Sequence, residues 1–353
     1  MTNTGTKSIL LTGHRGYIGS VMAPYLVGMG HRVVGLDVGY FADCTLVPDE
    51  LQIPEVRKDI RDLVPDDVKG YDAVIHLAAL SNDPIGNLEQ QWTEEINCKA
   101  SVRLAELARE AGVTRFLFSS SCIMYGMSTG DVVNEDSPLD PQTEYARSKV
   151  TCEVAIKDMA SDGFSPTFLR NGTVYGVSPR MRFDTVLNDL VGRAFTTGLI
   201  TVFSDGQPWR PVVHVEDVAR SFHHVLQAPL ELVHGEAFNN GADHLNHQVI
   251  ELAEIAAAVV PGCNVEVLGQ ATADQRTYRA DFGKFARTFG DFEWHRNARS
   301  GAAELAETFS RIGLTHADFT DKRFTRLAWL QHLLDGSLDE SLRWTTASVQ
   351  VTP

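Results

Sequence analysis

Tyr145 and Lys149 stand four residues apart in EYARSK (144–149), a spacing that puts both side chains on one face of a helix. A tyrosine near its reference pKa of about 10 is a poor base at neutral pH, but a close ammonium favours the phenolate. Such a pair can take the proton of a secondary alcohol while the carbinol carbon is oxidised. Alone, the same spacing is also what an ordinary surface helix presents. SSSCIMYG (119–126) begins at the end of an apolar run, so a serine hydroxyl there can hydrogen-bond the same substrate oxygen.

The electron acceptor that this chemistry needs is implied near the start of the chain. LLTGHRGYIGS (10–20) sets Gly13, Gly16 and Gly19 three residues apart, after an apolar run and before a helical pattern. A strand feeding a glycine turn that opens a helix lets backbone amides approach a pyrophosphate, with the partial positive charge of the helix N-terminus behind them. The next strand pattern ends in Asp37, at the distance expected for a carboxylate that accepts from ribose hydroxyls and repels a 2′-phosphate. The expected cofactor is therefore NAD. Arg15 and Arg32 stand against that choice, since a nearby arginine accommodates the 2′-phosphate. KDI (58–60) offers Asp59 to an adenine amino group and Ile60 to its face, although Asp59 reads equally well as a solvated loop acid.

Positioning these residues requires a regular frame. Short β-branched runs at 8–13, 31–37, 71–79, 114–121 and 165–170 alternate with helical patterns at 17–29, 92–111 and 145–161. This predicts an α/β fold, a Rossmann-type doubly wound parallel sheet covered on both faces. From Val174 the rhythm gives way to YGVSPRMRF (175–183) and FSDGQPWRP (203–211), with a helical pattern near 184–197 between them. The expected division is a dinucleotide-binding domain of 1–173 plus about 212–240, and a smaller interleaved C-terminal α/β substrate lobe of 174–211 and 241–310. Residues 311–353 form an extension with no role legible in the sequence.

Composition narrows the partners. With 43% hydrophobic and 22% charged residues among 353, the chain has globular proportions, and no apolar segment approaches the roughly 18 residues of a membrane span. The N-terminus lacks a secretory pattern, so a cytoplasmic location is expected. Five cysteines without a C-x-x-C pair or a histidine at ligand spacing predict reduced thiols and no metal. A formal net charge of −15 repels nucleic acid. Phosphorylated ligands must then be held locally, by amides, a helix N-terminus and a few inward arginines.

Taken together, TGHRGYIGS (12–20), Asp37, Asp59 with Ile60, HLAA (76–79), Asn97, SSSCIMYG (119–126), YARSK (145–149), LRNGTVYG (169–176) and RPVVHVEDVA (210–219) resemble a family. It is the extended short-chain dehydrogenases/reductases, in the branch of NAD-dependent, UDP-glucose 4-epimerase-like nucleotide-sugar epimerases and dehydratases. The likeness covers about residues 8–300 in order and spacing. It implies Ser121, Tyr145 and Lys149 as the catalytic set, with Ser121 chosen because it lies four residues before Tyr125. It implies a cofactor site of Gly13, Arg15, Gly16, Tyr17, Ile18, Gly19, Asp37, Asp59, Ile60, Leu77, Ala78, Ala79, Asn97 and Ser119, together with Tyr145 and Lys149. On the substrate side it implies Ser121, Cys122, Asn171, Thr173, Arg182, Arg210 and Arg276. Arg210 matches the arginine that grips a nucleotide-sugar diphosphate. Arg276 is a second clamp on a looser match, because GQATADQ (269–275) replaces the usual glycine-rich approach. Arg180 and Arg182 also read as exposed loop arginines, Thr173 replaces a frequent asparagine, and Ser81, Asn82 and Asp83 are further candidates near the sugar.

The resemblance leaves several reactions open. In C4 epimerisation a 4-keto sugar turns over and is reduced on its other face. A 4,6-dehydratase usually has an Asp-Glu pair after the catalytic Ser/Thr, where this chain has Cys122 and Ile123. A 3,5-epimerase uses a cysteine, which by count would fall at Ile123. Ketoreduction and non-catalytic dinucleotide sensing are compatible with the likeness as well, and C4 epimerisation is the expectation. The resemblance also implies a homodimer in which helices 92–111 and 145–161 form a four-helix bundle, although their apolar stripes could equally face the sheet.

Overall fold

Successive side chains of a strand point to opposite faces, and the first strand shows what this requires. Ile9 and Leu11 enter one apolar cluster and Leu10 another, all three without solvent exposure. Both faces must therefore be covered. The computed structural model describes residues 5–48, 52–81, 89–270 and 276–345.

Among the described residues, the central sheet consists of β1 (Ser8–Thr12), β2 (Arg32–Asp37), β3 (Glu55–Arg57), β4 (Ala73–His76), β5 (Arg115–Ser121), β7 (Ser165–Asn171) and β11 (Ala237–Asn240). They are parallel and lie in the order β3-β2-β1-β4-β5-β7-β11. The order reverses between β1 and β4, and ligands of such sheets bind outside the carboxyl ends of the strands at that reversal. Helices α1 (Gly19–Gly28) and α5 (Val215–Gln227) cover one face. The other is covered by α2 (Ala100–Glu110), the π-helical turn Thr93–Lys99 before it, and α3 (Glu144–Lys157).

The second lobe is built on α4 (Val186–Thr197), α6 (Val249–Ala258) and α7 (Ala298–Ile312), whose apolar faces share one cluster. Strand β10 (Trp209–His214) pairs in this lobe with β8 (Thr173–Tyr175) and β12 (Asn246–Gln248). Two smaller parallel pairs join β6 (Met127–Val133) to β14 (Thr277–Ala280) and β9 (Leu199–Val202) to β13 (Asn264–Val267). The return to the large sheet is made by α5 and β11. The chain after 311 enters both cores: Leu314, Phe319 and Phe324 join the second lobe, while Trp329, Leu330, Leu333, Leu338 and Leu342 join the cluster under α2 and α3.

A buried ion pair fastens α3 to the sheet. Glu153, one turn beyond Lys149, accepts from Arg170 Nη2 at 2.7 Å and from its Nε at 3.1 and 3.2 Å, with both residues buried. Arg170 Nη1 also donates to the Tyr125 hydroxyl at 2.9 Å. Removing one partner leaves an uncompensated buried charge. Glu153→Ala should therefore lower unfolding stability by about 3–5 kcal/mol, and Glu153→Met with Arg170→Met should recover at least half of it. Chemical denaturation checks this; a single variant within about 1 kcal/mol of wild type would contradict it.

Candidate active site

The carboxyl ends of β1, β2, β4, β5 and β7 open into one cavity of about 1130 Å³. At the head of β1, Gly13 adopts a φ of +74°, and a Cβ there would meet Ala78 N at 2.7 Å. Only glycine lets the turn lie against the 77–79 loop at the end of β4. A Cβ at Gly19 would collide with the Gly13 carbonyl. The spacing of three thus serves the turn's own packing as well as approach to a ligand. Helix α1 starts without a side-chain cap and without an acidic residue in its first turn, so its positive end faces the cavity unneutralised.

Asp37 closes β2 and lines the cavity. Its oxygens accept from the backbone N–H of Arg15 at 3.1 Å and of Gly39 at 2.7 Å. Of the two arginines that argue for a 2′-phosphate, one has its guanidinium engaged and the other is distant. Arg15 pairs through its guanidinium with Glu55 at 2.6 and 2.7 Å, holding that carboxyl down to about 2, and is not among the cavity-lining residues. Arg32 opens the strand that Asp37 closes, about 16 Å away along it. Asp59 lines the cavity, but its carboxylate is held by Arg61 Nη2 at 2.6 Å and approached by Arg343 at 3.4 Å.

Leu77, Ala78 and Ala79 also line the cavity, and two buried residues behind them fix their loop. Asn97 does not line the cavity; it clamps Leu80, accepting from its N–H at 2.7 Å and donating to its carbonyl at 3.1 Å. His76 bridges Thr12 Oγ1 at 2.6 Å and Ser101 Oγ at 2.7 Å. Burial pushes its pKa down to about 3, so the ring is neutral.

Ser119, Ser121, Tyr145 and Lys149 line the same cavity. Thr143 caps α3, accepting from Ala146 N at 3.2 Å, which places Tyr145 in the first turn and Lys149 one turn deeper. Lys149 is 4% exposed. Its Nζ donates to the Ser119 carbonyl at 2.8 Å and lies 5.7 Å from the centre of the Tyr145 ring and 4.5 Å from that of Phe118. Desolvation pushes its pKa down to about 8. Ser121 ends β5, its Oγ accepting from Ile123 N at 3.3 Å.

Asn171, Thr173, Arg182, Arg210 and Arg276 also line the cavity. Arg182 is a lining residue rather than a solvated loop arginine: its Nε donates to Asp184 at 2.8 Å and its Nη1 to Ser81 Oγ at 3.1 Å. Arg210 donates to the carbonyls of Trp209 and Arg276, joining the two expected clamps. Asn171 is committed to structure, donating to Ser119 Oγ at 3.0 Å and accepting from Asn240 at 2.7 Å. Cys122 requires a correction. It is fully buried outside the cavity lining, and its thiol donates to the Arg170 carbonyl at 3.0 Å. Arg180 is buried behind the wall. Ser81 lines the cavity, whereas Asn82 and Asp83 lie outside the described residues.

The cavity also has lining residues that no local pattern announces, chief among them Thr325, Arg326 and Leu327 from the C-terminal segment. Among the described residues no group of three or more His, Cys, Asp and Glu side chains could hold a metal ion, and no helix is long and apolar enough to cross a membrane.

Comparison with known proteins places these observations. Residues 9–241 match the sequence pattern of the "NAD dependent epimerase/dehydratase family". The chain is 26% identical over 325 residues to a UDP-glucose 4-epimerase of Corynebacterium glutamicum, spanning 86% of this chain and 96% of that one. It is similar to the solved structure of MoeE5 in complex with UDP-glucuronic acid and NAD, with 29% identity, a TM-score of 0.74, and 87% of this chain and 100% of that chain covered. The hexosamine 5,6-dehydratase TunA is similar at 25% identity and a TM-score of 0.74, covering 87% and 98%.

The state of Lys149 is open to a stability measurement. Its folded pKa lies below the unfolded value, so burying the cation destabilises the fold fully below pH about 8, and the effect fades as pH rises towards 10.5. The shift corresponds to about 3 kcal/mol, offset by about 1 kcal/mol for the lost bond to Ser119. Lys149→Met should therefore be more stable than wild type by about 1–2 kcal/mol at neutral pH, with the advantage shrinking near pH 10. Denaturant titration at both pH values tests this, and a Met variant that is less stable at neutral pH would contradict it.

Proposed function

The chain belongs to the NAD dependent epimerase/dehydratase family, and from that premise we propose that it inverts C4 of a nucleotide-diphosphate sugar through a transient 4-keto intermediate. The observation that carries the reading is one cavity lined by Tyr145, Lys149 and Ser121 together with the glycine turn, Asp37 and the Arg210–Arg276 pair.

The residues present fit NAD. The glycine turn leaves the positive end of α1 uncapped, Asp37 lies at the end of β2, and Arg15 is engaged by Glu55 rather than offered to a 2′-phosphate. Ile60 and Leu77–Ala79 supply apolar wall. When bound, NAD supplies a reversible two-electron acceptor for the carbinol carbon.

The chain's own groups do the rest. Tyr145 takes the C4 hydroxyl proton and returns it in the second half of the reaction. The Lys149 ammonium favours the phenolate, and Ser121 steadies the oxygen whose proton moves. Arg210 and Arg276 hold the diphosphate. Two features disfavour the neighbouring chemistries. Cys122 and Ile123 provide no carboxylate after Ser121 for dehydration. The Cys122 thiol, pushed up by burial and bonded to the Arg170 carbonyl, is a poor acid/base partner for 3,5-epimerisation. An intact Ser-Tyr-Lys set weighs against simple dinucleotide sensing.

The same reading carries a homodimer through the outward faces of α2 and α3, where Val154 is 59% exposed. Light scattering on the purified chain tests it, and a monomer at micromolar concentration would end it.

A panel of UDP- and dTDP-hexoses followed by NMR tests the activity. Wild type should interconvert a C4 pair, and Tyr145→Phe should lose about 10²–10⁴-fold in rate while still binding NAD. Near-normal turnover by that variant would sink the mechanism.

A further inference from the structure

The chain beyond the family match is stitched onto the Asp37 end of the cavity. Trp329 Nε1 donates to the Tyr40 carbonyl at 2.7 Å and Trp344 Nε1 to the Val38 carbonyl at 2.8 Å. The Tyr40 hydroxyl donates in return to the Leu342 carbonyl. All three bonds fall in the loop that follows Asp37. Arg61, which holds Asp59, donates to the carbonyls of Ser341 at 2.7 Å and Leu342 at 3.2 Å.

From this strap Arg326 enters the cavity wall at 3% exposure. Its guanidinium lies 4.5 Å from the centre of the Phe41 ring, Nη2 donates to the Arg180 carbonyl at 2.7 Å, and Nη1 has no partner among the described residues. Nor does any described carboxylate hydrogen-bond this guanidinium. Asp184 accepts from the backbone N–H of Arg326 at 3.2 Å and is paired through Nε with Arg182. Arg182 thus takes that carboxylate, and the buried Arg326 guanidinium has none hydrogen-bonded to it among the described residues. Burial, with the charge of Arg182 acting in the same direction, pushes Arg326 down to about 10. A buried cation with an open donor is costly unless something compensates it.

We propose that Arg326 is a binding residue for the diphosphate of the bound dinucleotide, acting with Arg182 as its neighbour. The assignment follows from what flanks it. On one side is Phe41, in the loop after Asp37, where a ribose would be read. On the other is Arg182, within electrostatic reach of Tyr145 at the reacting end. Both guanidiniums act on Tyr17 in the glycine turn. The part of a dinucleotide between its adenosine ribose and its nicotinamide is the diphosphate, an anion that matches the surplus charge. Sealed from water, Arg326 acts as a fixed charge in a low-dielectric wall.

The inference rests on the reading of the cavity as a dinucleotide site. A nucleotide sugar also carries a diphosphate, so the test has separate arms. Full-length Arg326→Gln, which keeps a donor for Arg180, and Arg326→Met are stripped of ligand. They are then titrated calorimetrically with NAD, UDP and adenosine, with melting temperature as a fold control. Either folded variant should lose about tenfold or more in NAD affinity while UDP and adenosine stay within about twofold of wild type. Unchanged NAD affinity overturns the proposal. Equal weakening of adenosine overturns it too, since Arg326 would then only shape the 38–41 loop, as does a loss confined to UDP. A wild-type protein that binds no NAD brings down the dinucleotide reading itself, and this inference with it.

Discussion

The ammonium of Lys149 is sealed under α3 against the last turns of β5, with the Ser119 carbonyl as its hydrogen-bond partner and no carboxylate bonded to it among the described residues. Much of the active wall follows from holding that charge in place. Its depth fixes the register of α3, and that register places Tyr145 one turn nearer the helix N-terminus, in the same cavity lining. The carbonyl it uses belongs to the strand whose end carries Ser121, so one bond ties helix to strand where the chemistry would occur. Glu153 and Arg170 secure the same helix one turn further on. A cation kept almost wholly out of water costs stability, and functional sites are where folds retain such costs.

The second organising constraint is closeness at the reversal between β1 and β4. The glycine turn and the 77–79 loop touch backbone to backbone, which forbids a side chain at Gly13 and leaves no slack in either segment. Asn97 and the Thr12–His76–Ser101 chain take up the polar groups this approach buries. A neutral imidazole suits that place, because it can donate to one hydroxyl and accept from the other without adding charge beside Lys149.

What could be read from the sequence was what is local. Tyr145 and Lys149 lie within one turn of helix, the glycines within one strand-to-helix turn, and the apolar runs within single strands, so spacing alone carries the geometry. Where a residue's role depends on partners far along the chain, sequence reasoning missed it. Arg15 is as close to the glycine turn as a residue can be, yet Glu55 takes its guanidinium. Cys122 adjoins Ser121, but the 3-10 turn that begins there points it into the core against Arg170. Asn97 supports the site from behind rather than lining it. Arg326 reaches the cavity only because the tail folds back across roughly 285–306 residues to the loop after Asp37, and no local pattern encodes that return.

Under the proposed reading, the site moves one proton at one oxygen while the attached carbon is reversibly oxidised. The fate of the hydrogen on that carbon is therefore the most direct test. A nucleotide sugar deuterated at C4, turned over in ordinary water and examined by NMR and mass spectrometry, should give a C4-inverted product that keeps its deuterium at C4 and gains no solvent hydrogen at C5. Loss of the label to water, exchange at C5 or a 6-deoxy product would contradict the account.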